Sequence, residues 1–337
     1  MNGSRDQRLV TIAIPVYKRL DFLPNALRSV AAQDYPNIEL LVSDNGENGP
    51  ELRELVARHY PHPFSLRRND STVSMSRHFN QLVESATGEF FVLLCDDDEI
   101  EPGFVSSLAD VLAGDSGIGV AVPYVELMNE SGGAITEEEA RDLPYSRLDP
   151  DHLPPSTLSC LEFVRLWVDG HHQFVSFVTT MARTREVLEL GGYPDVPTGD
   201  DDAVALRLAL GRKVAFCREA VFRLRAYGAS EGLAMSPLEL ASDIKTWLGF
   251  LQSDPALQTF AAENPGDWPE IRHLMREKAW RTYRYRWRTI YRTRLSYTRW
   301  LRAGFALPFI PAYYRWLSRY LASDALARAK NLVRGRA

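Results

Sequence analysis

The sequence predicts an α/β protein built around a doubly wound, mostly parallel sheet. Short apolar runs alternate with segments that carry apolar residues at helical spacing over the first hundred residues. The apolar runs lack a polar face, as expected of parallel strands that helices cover on both sides. The short connections between them are typical of strand–helix–strand units.

The elements of the first half follow in chain order, each from its own pattern. The run 9–16 is a buried strand, and Phe22, Ala26 and Val30 share one face of the helix that follows. The turn Asn45-Gly46 ends the second strand, and Gly88 ends the third helix. The predicted strands are 9–16, 38–44, 64–67, 90–95 and 119–128, and the predicted helices are 21–33, 51–60, 74–86 and 102–113.

The second half continues with less regular elements. Residues 131–155 carry Gly, Pro and acids without a clear period, which predicts a loop. From Asp267 onwards the pattern predicts only helices. The other predicted helices are 158–168, 185–190, 202–210 and 238–251, and the predicted strands are 174–181 and 214–222.

Bulk properties predict a cytoplasmic globular protein. The 337 residues suffice for one large or two medium domains. The three cysteines lie far apart and are odd in number, which indicates neither a disulfide framework nor a metal-binding spacing. The first eight residues lack the apolar core of a signal peptide, and no window of 18 residues is apolar and free of charge.

Charge is distributed unevenly along the chain. The net charge is −5, yet residues 276–337 hold 16 Lys and Arg against two acids, Glu277 and Asp324. An acidic body with a basic end predicts an anionic partner: a nucleic acid, a membrane surface or a phosphorylated substrate.

The run 90–98 joins five apolar residues and a cysteine to Asp96, Asp97 and Asp98. Ligands of open α/β sheets bind beyond the carboxyl ends of such strands. Adjacent carboxylates repel one another unless a cation offsets the repulsion. One interpretation is therefore a Mg²⁺ or Mn²⁺ site that carries a phosphorylated ligand. The other is a helix N-terminus with acids in front of Pro102.

Acids also stand at two other places. Asp44 ends the second strand, and 200–202 is an aspartate triplet before a helix. Because the carboxyl ends of parallel strands meet at one edge, we expect these acids to share a crevice. An N-cap run is the alternative interpretation of the triplet.

Several short motifs stand in a fixed order over residues 9–230. They are Ile12–Tyr17, Leu41–Gly46, Ala86–Phe90, Cys95–Asp98, Gly191-Gly192-Tyr193, Gly199–Asp202 and Arg207. Together they resemble glycosyltransferase family 2. The resemblance implies the GT-A fold, an α/β fold with a Rossmann-like, mostly parallel sheet flanked by helices. It implies a catalytic domain at 1–235, with a nucleotide half at 9–100 and an acceptor half at 101–235. A helical basic and aromatic region would follow at 236–337.

The resemblance also implies a reaction. A sugar would pass with inversion from a UDP-, GDP- or TDP-linked donor to a glycan or lipid-linked acceptor, in surface polysaccharide or glycoconjugate synthesis. A divalent metal, Mn²⁺ or Mg²⁺, would stabilise the diphosphate leaving group. A carboxylate would take the proton of the acceptor hydroxyl.

Nucleotide-binding residues follow from the matched motifs. By the resemblance, Pro15, Val16 and Tyr17 line the base and ribose, and Asp44 accepts a hydrogen bond from the base. Arg77 is placed near the donor crevice, where a guanidinium suits phosphate geometry. A solvated surface charge is the alternative for Arg77.

The metal and catalytic residues follow in the same way. Asp97 is implied as a direct metal ligand with Asp98 beside it, and Asp96 as a contact to the ribose or to metal-bound water. Asp201 matches the catalytic base, and Asp200 matches the acid before it.

The chain departs from the family pattern at three positions. Cys95 replaces the first Asp of the acidic motif, Ser43 replaces the first acid of a common pair, and Tyr227 replaces a His of the metal shell. Metal binding is then expected to rest on 96–98, and His171 or His172 is another source of a nitrogen ligand.

Trp280, Tyr283, Trp287 and Tyr291 recur at helical spacing beside a stripe of arginines. In one interpretation this helix lies on the anionic inner face of a membrane. In the other, its aromatics pack on the catalytic domain or on another subunit of an oligomer. No recognised module supports a nucleic-acid partner.

Two other functions compete with glycosyl transfer. A sugar nucleotidyltransferase needs a Gly-rich loop after the first strand, and residues 15–20 hold no glycine. A catalytically silent scaffold would bind a membrane or a partner through the basic helices. The presence of Asp44, Asp97 and Asp201 argues against that scaffold.

Overall fold

The computed structural model describes residues 8–46, 48–136, 156–168, 180–196, 200–226, 236–288, 295–306 and 314–322. These residues form a nine-stranded sheet, flanking helices and a helical C-terminal region. The strands are β1 (Val10–Val16), β2 (Ile38–Asp44), β3 (Phe64–Arg68), β4 (Phe90–Leu93), β5 (Glu99–Ile100), β6 (Ile118–Met128), β7 (Thr157–Ser159), β8 (Met181–Arg183) and β9 (Lys213–Arg225). The helices are α1 (Leu23–Ala31), α2 (Glu51–His59), α3 (Met75–Ser85), α4 (Phe104–Gly114), α5 (Cys160–Val168), α6 (Thr184–Glu189), α7 (Asp200–Ala209), α8 (Pro237–Ser253), α9 (Pro255–Glu263), α10 (Trp268–Arg288), α11 (Tyr297–Ala303) and α12 (314–322).

The sheet is mostly parallel, as predicted. Its strands lie in the order β3-β2-β1-β4-β8-β6-β9-β5, with β7 beside β9. The strands β1, β2, β3 and β4 pair in parallel, and so do β6 and β9. By contrast, β8 runs antiparallel to β4 and β6, and β5 and β7 run antiparallel to β9. The carboxyl ends of β1, β2 and β4 therefore meet at one edge.

Within the described residues, the sheet separates two hydrophobic cores. Ile12 packs into a core with α1, α2 and α4, whereas its neighbour Ala13 packs into the core on the other face. That second core includes α3, α5, α7 and residues of every helix from α8 to α12. Successive strand residues point to opposite faces, so continuous apolar runs can fill both cores.

Several predicted bounds need correction. The strand β4 ends at Leu93 rather than Cys95, and β9 extends to Arg225. The predicted helix at 158–168 begins as β7, and α9 was not predicted although Pro255 stands at its first position. The predicted strand at 174–181 lies outside the described residues except for its end, which belongs to β8. Residues 137–155 of the predicted loop also lie outside them.

The aromatic stripe of the C-terminal region faces inward. Trp280, Tyr283 and Trp287 are all buried. The rings of Trp287 and Trp300 stack with centroids 4.3 Å apart, and each indole N–H donates to the other residue's carbonyl at 2.8 Å. These contacts favour the packing interpretation over a bilayer contact for the three residues. Tyr291 lies outside the described residues.

A buried ion pair joins the C-terminal region to the sheet domain. The guanidinium of Arg207 in α7 binds the carboxylate of Asp254, which caps the N-terminus of α9. Arg207 also donates to the carbonyl of Gly192 at 2.8 Å and lies over the ring of Phe250. Arg207, one of the motif residues of the sequence, therefore pairs with a carboxylate of the C-terminal region. Among the described residues, no helix is long and apolar enough to cross a membrane.

Candidate active site

Two of the loops that carry the predicted nucleotide-binding residues leave the sheet side by side. Val16 pairs with Asp44 in the register of β1 and β2. The backbone N–H of Asn45 donates to the carbonyl of Val16 at 2.9 Å. On the other side of β1, Leu94 donates to the carbonyl of Ala13 at 2.9 Å, which fixes the start of the acidic loop 95–98.

The first loop is short and locally constrained. Pro15 is half-buried and Val16 is buried, whereas Tyr17 is 41% exposed. Among the described residues, Lys18 is the one non-glycine with a positive φ, at 63°, and its ammonium lies 4.6 Å from the Tyr17 ring centroid. The backbone of Tyr17 also forms a hydrogen bond with the carboxylate of Asp96. An exposed ring beside this junction is suited to stacking on a base.

Asp44 is buried at the end of β2 and already has partners. Its carboxylate accepts from the backbone N–H and the side-chain amide of Asn48, each at 3.1 Å. The guanidinium of Arg68 lies 3.5 Å away. Asp44 therefore stands at the predicted edge, in contact with donors from its own loop and from β3.

A buried histidine of α3 contacts the end of β2. The Nε2 atom of His78 in α3 lies 2.9 Å from the hydroxyl of Ser43. Burial lowers the pKa of His78 to about 4, because the charged imidazolium would lose its hydration. Ser43 is one of the positions that depart from the family pattern. Its hydroxyl is therefore hydrogen-bonded to a neutral side chain of α3.

The acidic loop brings a thiol and two carboxylates together. Ligand atoms of Cys95, Asp97 and Asp98 lie within 4.8 Å of one another. Burial, and then the charge of Asp97, raises the pKa of Asp96 to about 7. The same two causes hold the pKa of Asp98 well above its usual range. Buried carboxylates that repel one another favour a cationic ligand, because its charge offsets the repulsion.

Basic residues already contact this loop. The guanidinium of Arg19 lies 3.3 Å from a carboxylate oxygen of Asp97. The backbone N–H of Arg225, at the end of β9, donates to the carboxylate of Asp98 at 2.8 Å. Sequence reasoning did not single out either arginine, because neither stands in a motif.

The first turn of α7 carries an acid whose charge acts on the same loop. The charge of Asp201 is one of those that raise the pKa of the Cys95 thiol, which places Asp201 within electrostatic reach of the acidic loop. Asp201 accepts from the backbone N–H of Asp202 at 2.7 Å. Asp202 is bound by the ammonium of Lys278 from α10. The backbone of Asp200 begins α7, and its side chain lies outside the described part of the structure.

Arg77 lies near the edge without contacting the acidic loop in the described hydrogen bonds. It is exposed in the first turn of α3, and its N–H donates to the Ser74 hydroxyl that caps the helix. The preceding residue Val73 exchanges hydrogen bonds with the side chain of Asn45. The start of α3 is thereby tied to the end of β2. Tyr227, His171 and His172 lie outside the described residues.

The donor set fits a divalent cation. Asp97 and Asp98 offer carboxylate oxygens, the ligands that Mg²⁺ and Mn²⁺ prefer. Cys95 offers a softer thiol, whose pKa burial raises well above the usual range. We therefore expect the two carboxylates, and not the thiol, to hold a hard cation.

Comparison with known proteins identifies part of the chain. Residues 11–157 match the sequence model of the family described as "Glycosyl transferase family 2". An uncharacterized glycosyltransferase of Rickettsia conorii is 29% identical over 150 residues, which cover 43% of this chain and 24% of that protein. The GalNAc(5)-diNAcBac-PP-undecaprenol beta-1,3-glucosyltransferase of Campylobacter jejuni is 26% identical over 109 residues, 29% of this chain and 33% of that protein. The matched segments thus span about a quarter to a third of the length of these relatives.

Solved structures show the fold over most of the chain. S. aureus TarS 1-349 in complex with UDP-GlcNAc superposes with a TM-score of 0.60 at 14% identity, covering 89% of this chain and 82% of that one. The mannosyltransferase PcManGT from Pyrobaculum calidifontis, in complex with GDP-Man and Mn2+, gives a TM-score of 0.52 at 16% identity and covers 95% and 86%. The expected GT-A fold is confirmed. Residues 11–157, somewhat less than half of the chain, match the sequence model of glycosyl transferase family 2, and the fold agrees with that match.

Proposed function

We propose that this chain transfers a sugar, with inversion, from a nucleotide-diphosphate donor to an acceptor hydroxyl. The observation that carries the proposal is the placement of Asp201 within electrostatic reach of the loop that holds Asp97 and Asp98. These residues come from segments a hundred positions apart in the sequence. A leaving-group site and a base in one crevice are what a single displacement needs.

The donor would lie along the carboxyl edge of β1, β2 and β4. Tyr17, with Pro15 and Val16 beneath it, is exposed where a base can stack, and Asp44 stands at the end of the neighbouring strand. TarS and PcManGT, which share the fold, were solved in complex with UDP-GlcNAc and with GDP-Man and Mn2+, respectively. They support a nucleotide-sugar donor and leave UDP, GDP and TDP open.

The diphosphate would be held through Asp97 and Asp98. A divalent cation, Mn²⁺ or Mg²⁺, supplies Lewis-acid stabilisation of the negative charge that develops on the leaving group. Asp96, whose pKa is raised to about 7, is suited to a hydrogen bond with the ribose or with bound water. Arg77, exposed at the start of α3, is within the same edge and is proposed as a second contact to the donor.

Asp201 would act as the general base, with Asp200 beside it. A carboxylate that accepts the acceptor hydroxyl proton typically contributes ~10²–10⁴-fold. Attack from the face opposite to the departing diphosphate inverts the anomeric centre. Lys278 binds the carboxylate of Asp202, so the charge of the triplet is partly compensated.

The acceptor is proposed to be a glycan or a lipid-linked saccharide at the inner face of a membrane. The C. jejuni relative is named for a PP-undecaprenol substrate. Among the described residues of the C-terminal region, the exposed arginines include Arg299, Arg302, Arg315 and Arg319, and Phe305 is 58% exposed. If this surface binds anionic lipid, charge reversal of Arg302 and Arg319 should release the protein from anionic vesicles in co-sedimentation. Unchanged binding would remove the membrane from the proposal.

The test of the proposed reaction is release of free UDP, GDP or TDP from a panel of sugar nucleotides with Mn²⁺ or Mg²⁺. Slow hydrolysis without an acceptor suffices as a readout. Asp97→Asn should abolish it, whereas Glu54→Gln, a change at an exposed acid of α2, should leave it intact. Equal release by both variants would show that the acidic loop is not the donor site. No release by wild type from any donor would favour a silent scaffold.

A further inference from the structure

Arg225, at the end of β9, has a guanidinium that is almost fully buried. The side chain is 1% exposed. Its Nε donates to the carbonyl of Asp97 at 2.7 Å, and its Nη2 donates to the carboxylate of Glu99 at 2.6 Å. Its Nη1 donates to the carbonyl of Glu130 at 2.7 Å. The group is therefore satisfied by acceptors from two separate loops, which offsets the loss of hydration on burial.

The same residue holds the acidic loop through its backbone. The backbone N–H of Arg225 donates to the carboxylate of Asp98 at 2.8 Å, while its side chain binds the carbonyl of Asp97. The guanidinium also lies 4.5 Å from the ring centroid of Phe22, at the start of α1. Asp97, Asp98 and Glu99 are thus all contacted by one residue, which ends β9 and also contacts the residue before α1.

These contacts need the shape of arginine. A planar guanidinium presents donors in several fixed directions, so one group can bind the carbonyls of Asp97 and Glu130 and the carboxylate of Glu99. An ammonium carries the charge on a single atom and cannot reach the same acceptors together. The requirement is therefore for geometry as well as for positive charge.

We propose that Arg225 is a positioning residue of the donor site, which sets the conformation of the acidic loop that receives the cation and the diphosphate. It acts through Asp97 and Asp98 and touches neither ligand. This inference rests on the proposed function, because it assigns the loop its metal-binding role. Outer residues that orient ligands typically account for about 10–100-fold in metal affinity.

The chain offers a matched control two residues earlier on β9. Arg223 is 24% exposed and binds the carboxylate of Glu99 at 3.2 Å and the carbonyl of Gly132 at 2.7 Å. It lies 3.5 Å from Glu101. Arg223 shares the strand, the charge and one acceptor with Arg225, yet its ion pairs and hydrogen bonds described above go to Glu99, Glu101 and Gly132.

The test is direct Mn²⁺ binding to the full chain, measured from the free Mn²⁺ signal in electron paramagnetic resonance. We expect Arg225→Lys to keep a cooperative thermal transition and to bind Mn²⁺ about tenfold or more weakly than wild type. Arg223→Lys should bind within about twofold of wild type, since it leaves the contacts to the loop intact. A general loss of structure would lower the melting temperature of both variants alike.

The outcomes separate the inference from the proposed function. Tight Mn²⁺ binding by wild type and by Arg225→Lys overturns the positioning role and leaves the proposed function standing. Absence of Mn²⁺ binding by wild type overturns the metal part of the proposed function and the positioning role with it. If Arg225→Lys does not fold, the Mn²⁺ affinity of Glu99→Gln is measured instead. This change weakens the hydrogen bond that orients the guanidinium of Arg225. Unchanged Mn²⁺ affinity in Glu99→Gln would then overturn the inference.

Discussion

The ammonium of Lys278 in α10 binds the carboxylate of Asp202 in the first turn of α7. It lies 4.5 Å from the ring centroid of Trp167 as well. The basic C-terminal region therefore reaches the residue next to the proposed base. This relationship gives the region a role inside the molecule, whatever its outer surface binds.

Lys278→Met should slow transfer while leaving donor binding in place. The change removes the cation that compensates Asp202, so the first turn of α7 loses an anchor next to Asp201. We expect a loss of about tenfold in kcat, the size of one 1.4 kcal/mol interaction. Lys278→Arg, which keeps the charge, is the control. Steady-state kinetics and nucleotide calorimetry check the result, and equal kcat values for Lys278→Met and wild type would refute it.

Truncation before Asp267 tests the packing of the C-terminal region. If the basic region lies on an anionic membrane, this deletion should lower vesicle association. The structure adds a stronger expectation, because residues of α10, α11 and α12 belong to the core that also contains α3 and α7. The truncated chain should lose its cooperative thermal transition. A truncated protein that melts like the full chain would show that these helices do not support the catalytic domain.

Asp201→Ala should retain the donor and lose transfer, because the residue is assigned only to the acceptor proton. The expected reduction is about 10²–10⁴-fold in turnover. Calorimetry with UDP, GDP or TDP beside a turnover assay separates the two effects. Loss of nucleotide affinity in this variant would contradict its assigned role.

Gly192→Ala should destabilise the turn that precedes α7. Gly192 has φ +63°, and a Cβ there would lie 2.1 Å from the side-chain oxygen of Asn80. That oxygen accepts a hydrogen bond from the backbone N–H of Tyr193 at 2.7 Å, so moving it away from a Cβ would break this hydrogen bond. We expect about 2–4 kcal/mol of lost stability from strain and the broken contact. Gly249→Ala, in an exposed turn of α8 with open space around it, should be neutral or stabilising. Denaturant unfolding compares the two variants, and equal midpoints would contradict the close approach.

His78 predicts a specific dependence of stability on pH. Its pKa is lowered to about 4 in the folded state against 6.5 unfolded, so the unfolded state binds more protons between these values. The free energy of unfolding is therefore unaffected by His78 above pH 6.5. As the pH falls towards 4, protonation of His78 in the unfolded state lowers that free energy by up to about 3 kcal/mol. The raised pKa of Asp96 acts in the opposite direction, so the test uses the difference between wild type and a variant. His78→Gln should remove this loss, whereas His62→Gln, at an exposed site, should retain it. Parallel pH curves for wild type and His78→Gln would refute the assignment.

The sequence allowed the sheet and the acidic positions to be predicted for one physical reason. Buried parallel strands are apolar on both faces, so Asp44 and Asp97 stand out where the apolar runs stop. Partners across the fold could not be predicted in the same way. Arg225 and Asp97, or Lys278 and Asp202, meet only because distant elements pack together, and periodicity reports the burial of a residue and not its neighbour. The sequence also could not decide whether the aromatic stripe packs inward or contacts a membrane, because both kinds of helix show the same amphipathic pattern.

The most direct measurement is nucleotide affinity with and without Mn²⁺, by calorimetry, in wild type, Asp97→Asn and Glu54→Gln. If carboxylates of the acidic loop hold a cation against the diphosphate, Mn²⁺ should tighten binding of UDP, GDP or TDP by about tenfold or more in wild type and Glu54→Gln. Asp97→Asn should lose that gain. A gain that survives in Asp97→Asn, or the absence of any nucleotide binding by wild type, would contradict the account.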